Sequence, residues 1–203
     1  MSYGRPGPVS LLVLGINIVL GLVGLFVAPR LTGRCVFRPY EFARGMRRGT
    51  LITHAFVHAD LAHLLFNMIT FWAFGPALER YIGTSRFALL YVAGLVVSPL
   101  ISYRKHRDDP AYATLGASGA ISAVLFAAIV YNPSMQILIM FLPIPVPGPL
   151  FAVAYLAISW WYGRQSRGRI NHDAHLLGAL TGLVFVAVTD PQAWMRAMHM
   201  VFG

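Results

Sequence analysis

The sequence predicts an all-α, polytopic membrane protein with six transmembrane helices. Composition is the first reason. Of 203 residues, 57% are hydrophobic and 11% charged, against roughly 25% charged in an average soluble domain. So few charges cannot coat a water-exposed body of this size. The second reason is order: apolar runs alternate with short segments rich in arginine, glycine and proline. The third is run length, because a hydrocarbon core about 30 Å thick takes roughly 20 helical residues at 1.5 Å each. A soluble cytosolic enzyme and a disordered chain are both excluded.

The first span is residues 9–28, between Pro8 and Pro29. No clean small-residue cleavage site follows it, so it reads as a membrane helix and not as a leader. Residues 30–53 form a polar loop with six arginines. The second span, 60–82, has Asp60 to cap its start and Gly83 to end it. The third is 87–102, followed by a charged loop over 104–112. The fourth, 118–132, is short and closes at Pro133. The fifth, 149–162, follows a lead-in studded with Pro143, Pro145, Pro147 and Pro149. Arg164, Arg167 and Arg169 mark the next loop, and the sixth span is 174–188, stopped by Asp190-Pro191. Residues 192–203 read as a short interfacial helix. The whole of 1–203 reads as a single membrane domain.

The net charge is +9, from 15 arginines and the single Lys105 against seven acids. A basic balance can signal nucleic acid. Here the charges lie between apolar runs and not on a soluble face, so no nucleic-acid partner is expected. Cys35 is the lone cysteine and has no partner for an internal disulfide.

Polar groups inside a span are costly, so each one raises a question of function. Three clusters stand out. His54, His58, His63 and Asn67 surround the start of the second span, with His63 and Asn67 four apart on one helical face. Close histidines can hold a metal, but no carboxylate on a later span completes such a site, and no metal is expected. A polar helix end at the headgroups fits this cluster as well. The second cluster is Gly116-Ala117-Ser118-Gly119. Small residues usually mean close helix packing. Yet the fourth span is about 8 Å too short to cross, which sinks Ser118 below the surface. Glycine-rich irregular backbone at that depth is tolerated only inside protein or beside a wet cavity. The third cluster is His175, Gly178 and Gly182, at spacings that share a face. The two glycines form a helix-packing seam, with the histidine above it. A serine needs a base to become a nucleophile, and neutral histidine is the usual one.

Together these residues resemble the rhomboid family of intramembrane serine proteases, over nearly the whole chain. His54-Ala55-Phe56-Val57-His58 through His63 to Asn67 is similar to the family's H-x-x-x-H…H-x-x-x-N segment. Gly116-Ala117-Ser118-Gly119 is similar to its GxSG, and Ala174-His175 with Gly178 and Gly182 to its AHxxGxxxG. Glu79-Arg80 with Gly83 resembles the E-[KR]-x-x-G end of the second helix. The resemblance implies a rhomboid-like fold and a Ser118–His175 dyad. It implies an oxyanion site of His63, Asn67 and the Ser118 N–H, with His58, Gly116, Gly119, Gly178 and Gly182 in support. It also implies single-span membrane proteins as substrates, no cofactor, and a multi-pass protein of a bacterial inner (plasma) membrane. The alternative it leaves is an inactive, rhomboid-like binder of membrane proteins. One departure stands out: Ser122 occupies the place, four residues after the serine, where the family often has a tyrosine or phenylalanine stacked on the histidine. A triad is not expected, since Asp173 lies two residues from His175 and reads as a helix cap. His172, His106 and His199 read as loop or tail residues.

Overall fold

The computed structural model describes residues 5–139, 144–165 and 170–203. It is all-helical apart from one small hairpin, in keeping with the expected class. The long helices are Pro8–Leu22 (α1), Leu61–Ile82 (α5), Thr84–Val97 (α6), Ser118–Tyr131 (α8), Gly148–Gln165 (α9) and His172–Thr189 (α10). The short ones are Pro29–Cys35 (α2), Pro39–Ala43 (α3), Thr50–Thr53 (α4), Leu100–His106 (α7) and Pro191–Phe202 (α11). Four helical stretches are long and apolar enough to cross a bilayer: Pro8–Val27, Leu61–Ile82, Thr84–His106 and His172–Thr189. The other two expected spans are the 14-residue α8 and α9, which ends in Trp160, Trp161, Tyr162 and Arg164.

α8 is the axis of the fold. Its sequence is apolar all round, and such a helix must be surrounded. Every residue from Gly119 to Val130 is buried, packed by α5, α6 and α10. Small residues permit this. A methyl on Gly178 of α10 would overlap the carbonyl of Gly119, and one on Gly182 the carbonyl of Ala123. From the opposite helix, a Cβ on Gly94 would fall 2.7 Å from Cβ of Ala123. Backbones therefore approach closely on two sides of α8, a geometry open only to small residues.

A buried carboxylate fixes α1 against α5. Glu79, only 1% exposed, accepts from the N–H groups of Val9 and Ser10 at 3.1 and 2.7 Å. The Ser10 hydroxyl donates to it at 2.6 Å. Gly7 caps α1 without a side chain, so Glu79 satisfies its first-turn donors from another helix. Gly83, at φ +85°, then ends α5 as its sequence position suggested.

Several boundaries differ from expectation. The arginine-rich loop 30–53 contains three short helices, α2, α3 and α4. Two of its six arginines are tied to backbone: Arg47 donates to the carbonyls of Gly33 and Arg34, and Arg44 to those of Tyr40 and Arg107. The third span runs on to His106 with a break at Ser98-Pro99, because Pro99 can open a new helix but cannot continue the old one. In the proline-rich lead-in, Pro145 and Pro147 lie in a strand (Pro145–Pro147, β2) paired with Gln136–Leu138 (β1). Pro143, Arg167 and Arg169 lie outside the described residues. The tail is helical, as expected, with Ala193 and Ala197 inward and Met195, Met200 and Phe202 outward.

Candidate active site

Three segments distant in sequence share one cavity of about 740 Å³. His63 and Asn67 come from α5, Ser118 from the start of α8, and His175 from α10. Asp60 sets the α5 contribution. Its carboxylate accepts from the His63 N–H at 2.8 Å and so starts the helix about two turns above Asn67. Asn67 is 6% exposed, and its amide nitrogen has no partner among the described residues. A buried donor left over at a cavity wall is available to an incoming oxygen.

Ser118 is the first residue of α8, where N–H groups have no carbonyl inside the helix. The segment before it is held from two sides. Phe37 and Thr114 exchange backbone bonds at 2.9 Å, and the Gly116 N–H donates to the His54 carbonyl at 2.9 Å. The folded first loop thus braces the serine loop. Gly116 sits at φ +108°, and a Cβ there would fall 2.6 Å from the His63 ring and 3.8 Å from the Asn67 amide. Only glycine suits both the backbone angle and the space.

His175 is half-buried in the first turns of α10, directly above the Gly178–Gly182 seam. No hydrogen bond joins it to Ser118 among the described residues, and such contacts are commonly long before substrate binds. Its ring faces two others. Tyr155 of α9 lies nearly parallel to it, at 10° and 6.1 Å, and His172 lies edge-on at 6.0 Å. Ser122 is turned toward Tyr155, with 2.7 Å between the two hydroxyls.

The remaining sequence expectations divide. His58 is buried, edge-on to His63 at 5.1 Å, and Gly119 and Gly178 meet at the α8–α10 crossing. Asp173 does not cap α10. Asn171 does, accepting from the Ala174 N–H at 3.0 Å. Asp173 instead pairs with Lys105 at 2.7 Å. Two residues apart, one side chain can cap and the other reach sideways. His106 is no solvated loop residue: it ends α7 with its ring flat against Tyr112 at 3.6 Å, both on the cavity wall. His172 also lines the cavity, as the first residue of α10. Three residues escaped sequence reasoning. Asn171 also accepts from Ser102 and donates to Thr114. Lys105 bridges Asp173 and the Gly163 carbonyl at the end of α9. Tyr155 has been described. Only Lys105 carried a signal, as the single lysine among 16 basic residues.

Burial and the neighbouring His63 push His58 down to about 4, and burial also lowers His54. Both lie below the usual 6.5, so the unfolded chain takes up protons that the folded chain refuses. Stability is therefore full above about pH 6.5 and falls as pH drops toward 4, by up to about 3 kcal/mol for His58. Melting in detergent micelles between pH 7.5 and 4.5 is expected to show this decline. His58→Phe is expected to flatten it; an unchanged slope would show that His58 is protonated in the folded protein.

Comparison with known proteins places these features in a family setting. A family model described as "Rhomboid domain" matches residues 45–191. RHOMBOID-like protein 12, mitochondrial, of Arabidopsis thaliana is 29% identical over 205 residues, covering 89% of this chain and 58% of the relative. Rhomboid protein 1, mitochondrial, of Saccharomyces cerevisiae is 31% identical over 193 residues, covering 91% and 54%. Presenilin-associated rhomboid-like protein, mitochondrial, of Homo sapiens is 29% identical over 160 residues, covering 74% and 40%. The chain spans about half the length of the curated relatives it matches. These names overturn the expected bacterial plasma membrane, since the relatives are mitochondrial proteins. Composition and span length are set by hydrocarbon thickness and are alike in either membrane. The multi-pass membrane protein stands.

Proposed function

Because this chain belongs to the rhomboid family, we propose that it is an intramembrane serine endopeptidase working through a Ser118–His175 dyad. Its substrates on this reading are single-span membrane proteins, and the whole chain serves as one membrane domain. The observation that carries the reading is the shared cavity: a serine at a helix start, a histidine, the His63 ring and the Asn67 amide open onto one space. Ser118 Oγ attacks the scissile carbonyl while His175 takes its proton. His175 then returns that proton to the leaving amine, and a water, activated by the same ring, releases the acyl group. The Ser118 N–H, the Asn67 amide and the His63 ring hold the oxyanion. Asp173 is committed to Lys105, which favours a dyad over a triad.

The test is a fluorophosphonate probe on the purified chain, with the adduct located by mass spectrometry. The expected result is modification at Ser118 and loss of reporter cleavage in step with it. An adduct elsewhere, or cleavage by fully labelled protein, would overturn the assignment. Asn67→Ala is expected to slow cleavage about 10²–10³-fold, the usual effect of losing one oxyanion donor, with the probe still attaching to Ser118. Unchanged kcat in Asn67→Ala would remove it from the oxyanion site.

A further inference from the structure

Ser122 poses a chemical question. It is one helical turn beyond Ser118 on the same face of α8, and it is buried at 4% exposure. Its partner is the Tyr155 hydroxyl at 2.7 Å. That bond fixes one end of the tyrosine. Aromatic contacts fix the body of the ring: Phe126 of α8 lies 5.3 Å away at 57°, and Phe151 of α9 5.6 Å away at 36°. The remaining face of Tyr155 looks onto His175, 10° from parallel at 6.1 Å. Parallel, offset rings at 4.5–7 Å attract one another and define an orientation.

We propose that Tyr155, anchored by the Ser122 hydroxyl, is the positioning residue for the His175 ring, and that α9 thereby takes part in setting the dyad. The inference rests on the dyad reading above. A histidine base must present one nitrogen to the serine and keep its ring plane through proton transfer. Among the described residues no carboxylate is bonded to His175, and the acid nearest in sequence, Asp173, is paired with Lys105. Of the two rings beside His175, His172 lies edge-on while Tyr155 lies parallel, so Tyr155 is the one that presents a flat orienting surface. Its location has a consequence. The serine and the histidine ride on α8 and α10, which are locked together through Gly178 and Gly182. The orienting ring rides on α9, of whose 18 residues Gly148, Ser159 and Gly163 are fully buried. Any displacement of α9 from α8 breaks the Ser122–Tyr155 bond and withdraws the ring from His175. Dyad geometry and α9 position are thus linked through one side chain.

The experiment uses the full chain in micelles with isotope-labelled histidine, the His175 signal being identified by its loss in His175→Gln. Tyr155→Leu keeps bulk but removes the ring, Tyr155→Phe keeps the ring but loses the hydroxyl, and Ser122→Ala removes the anchor. The His175 ring resonance is expected to move downfield in Tyr155→Leu, since the shielding ring is gone, and less in Ser122→Ala. For cleavage, kcat is expected to fall about ten- to a hundredfold in Tyr155→Leu, the scale of a small misplacement of a catalytic group, with KM nearly unchanged. Tyr155→Phe restores most of the rate. Ser122→Ala and Tyr155→Phe remove the same bond, so the double variant is expected to be no slower than either single. A His175 resonance that stays put in folded Tyr155→Leu overturns the proposal, as does wild-type kcat in that variant while Ser118→Ala is inactive. Cleavage that survives Ser118→Ala strikes the dyad reading instead.

Discussion

Replacing Ser118 by alanine, or His175 by alanine, is expected to lower cleavage of a membrane-embedded reporter by about 10⁶-fold, which is below detection in an ordinary assay. The two losses are also expected not to multiply. A serine without its base is a weak nucleophile at neutral pH, and a base without its serine has no proton to take. Groups that act as a unit give a double variant about as active as the worse single one. This separates a dyad from two independently useful residues, for which the losses would compound. The fold predicts that both substitutions are structurally mild. Ser118 and His175 border a cavity of about 740 Å³ and make no hydrogen bond to each other. The caps that start α5 and α10 belong to Asp60 and Asn171. Melting temperatures near the wild-type value should therefore accompany the loss of activity. Substantial cleavage by either folded variant would defeat the Ser118–His175 mechanism and place the nucleophile or base elsewhere.

How much of this was legible beforehand depended on the range of the interaction. Local signals read well. The Asp60 cap, the Gly83 stop and the start of α8 at Ser118 all follow from backbone rules that act within one turn. The shortness of α8 was also readable, because the apolar run from Ser118 is bounded by Asn132-Pro133. The six-arginine loop reads as polar along the sequence, but its internal helices do not show there. Arg47 donates to carbonyls of the same loop and Arg44 to that of Arg107, 63 residues on, and these pairings become visible only in the folded chain. Asp173 misled for a related reason: Asn and Asp are near-equal caps, and the choice went to Asn171 because Lys105, 68 residues earlier, claims the carboxylate. Tyr155 was invisible altogether. Ser122 marked the absence of an aromatic residue on α8, but nothing along the chain says which other helix supplies one.

The largest structural effect is expected at the α8–α10 crossing. Gly178→Leu places a side chain where the carbonyl of Gly119 already stands. A flexible neighbour could rotate away, but a helix backbone cannot, so α10 must move as a body. Overpacking of a close-packed interior costs about 1–3 kcal/mol even when side chains can adjust, and here the obstacle is main chain on an axis that is buried throughout. The expected outcome is loss of cooperative melting or a drop of many degrees, together with loss of cleavage, because the shift carries His175 away from Ser118. Gly15→Leu supplies the control within the same molecule. Gly15 is also a glycine inside an apolar helix, yet a Cβ there meets nothing within 4 Å. Leucine at that position should fit the lipid-facing side and improve helix propensity, leaving melting and activity close to wild type. The contrast isolates close approach from helix propensity, since propensity alone would make both substitutions stabilising. Equal behaviour of the two variants would show that the Gly178–Gly182 seam is not what holds α10 against α8.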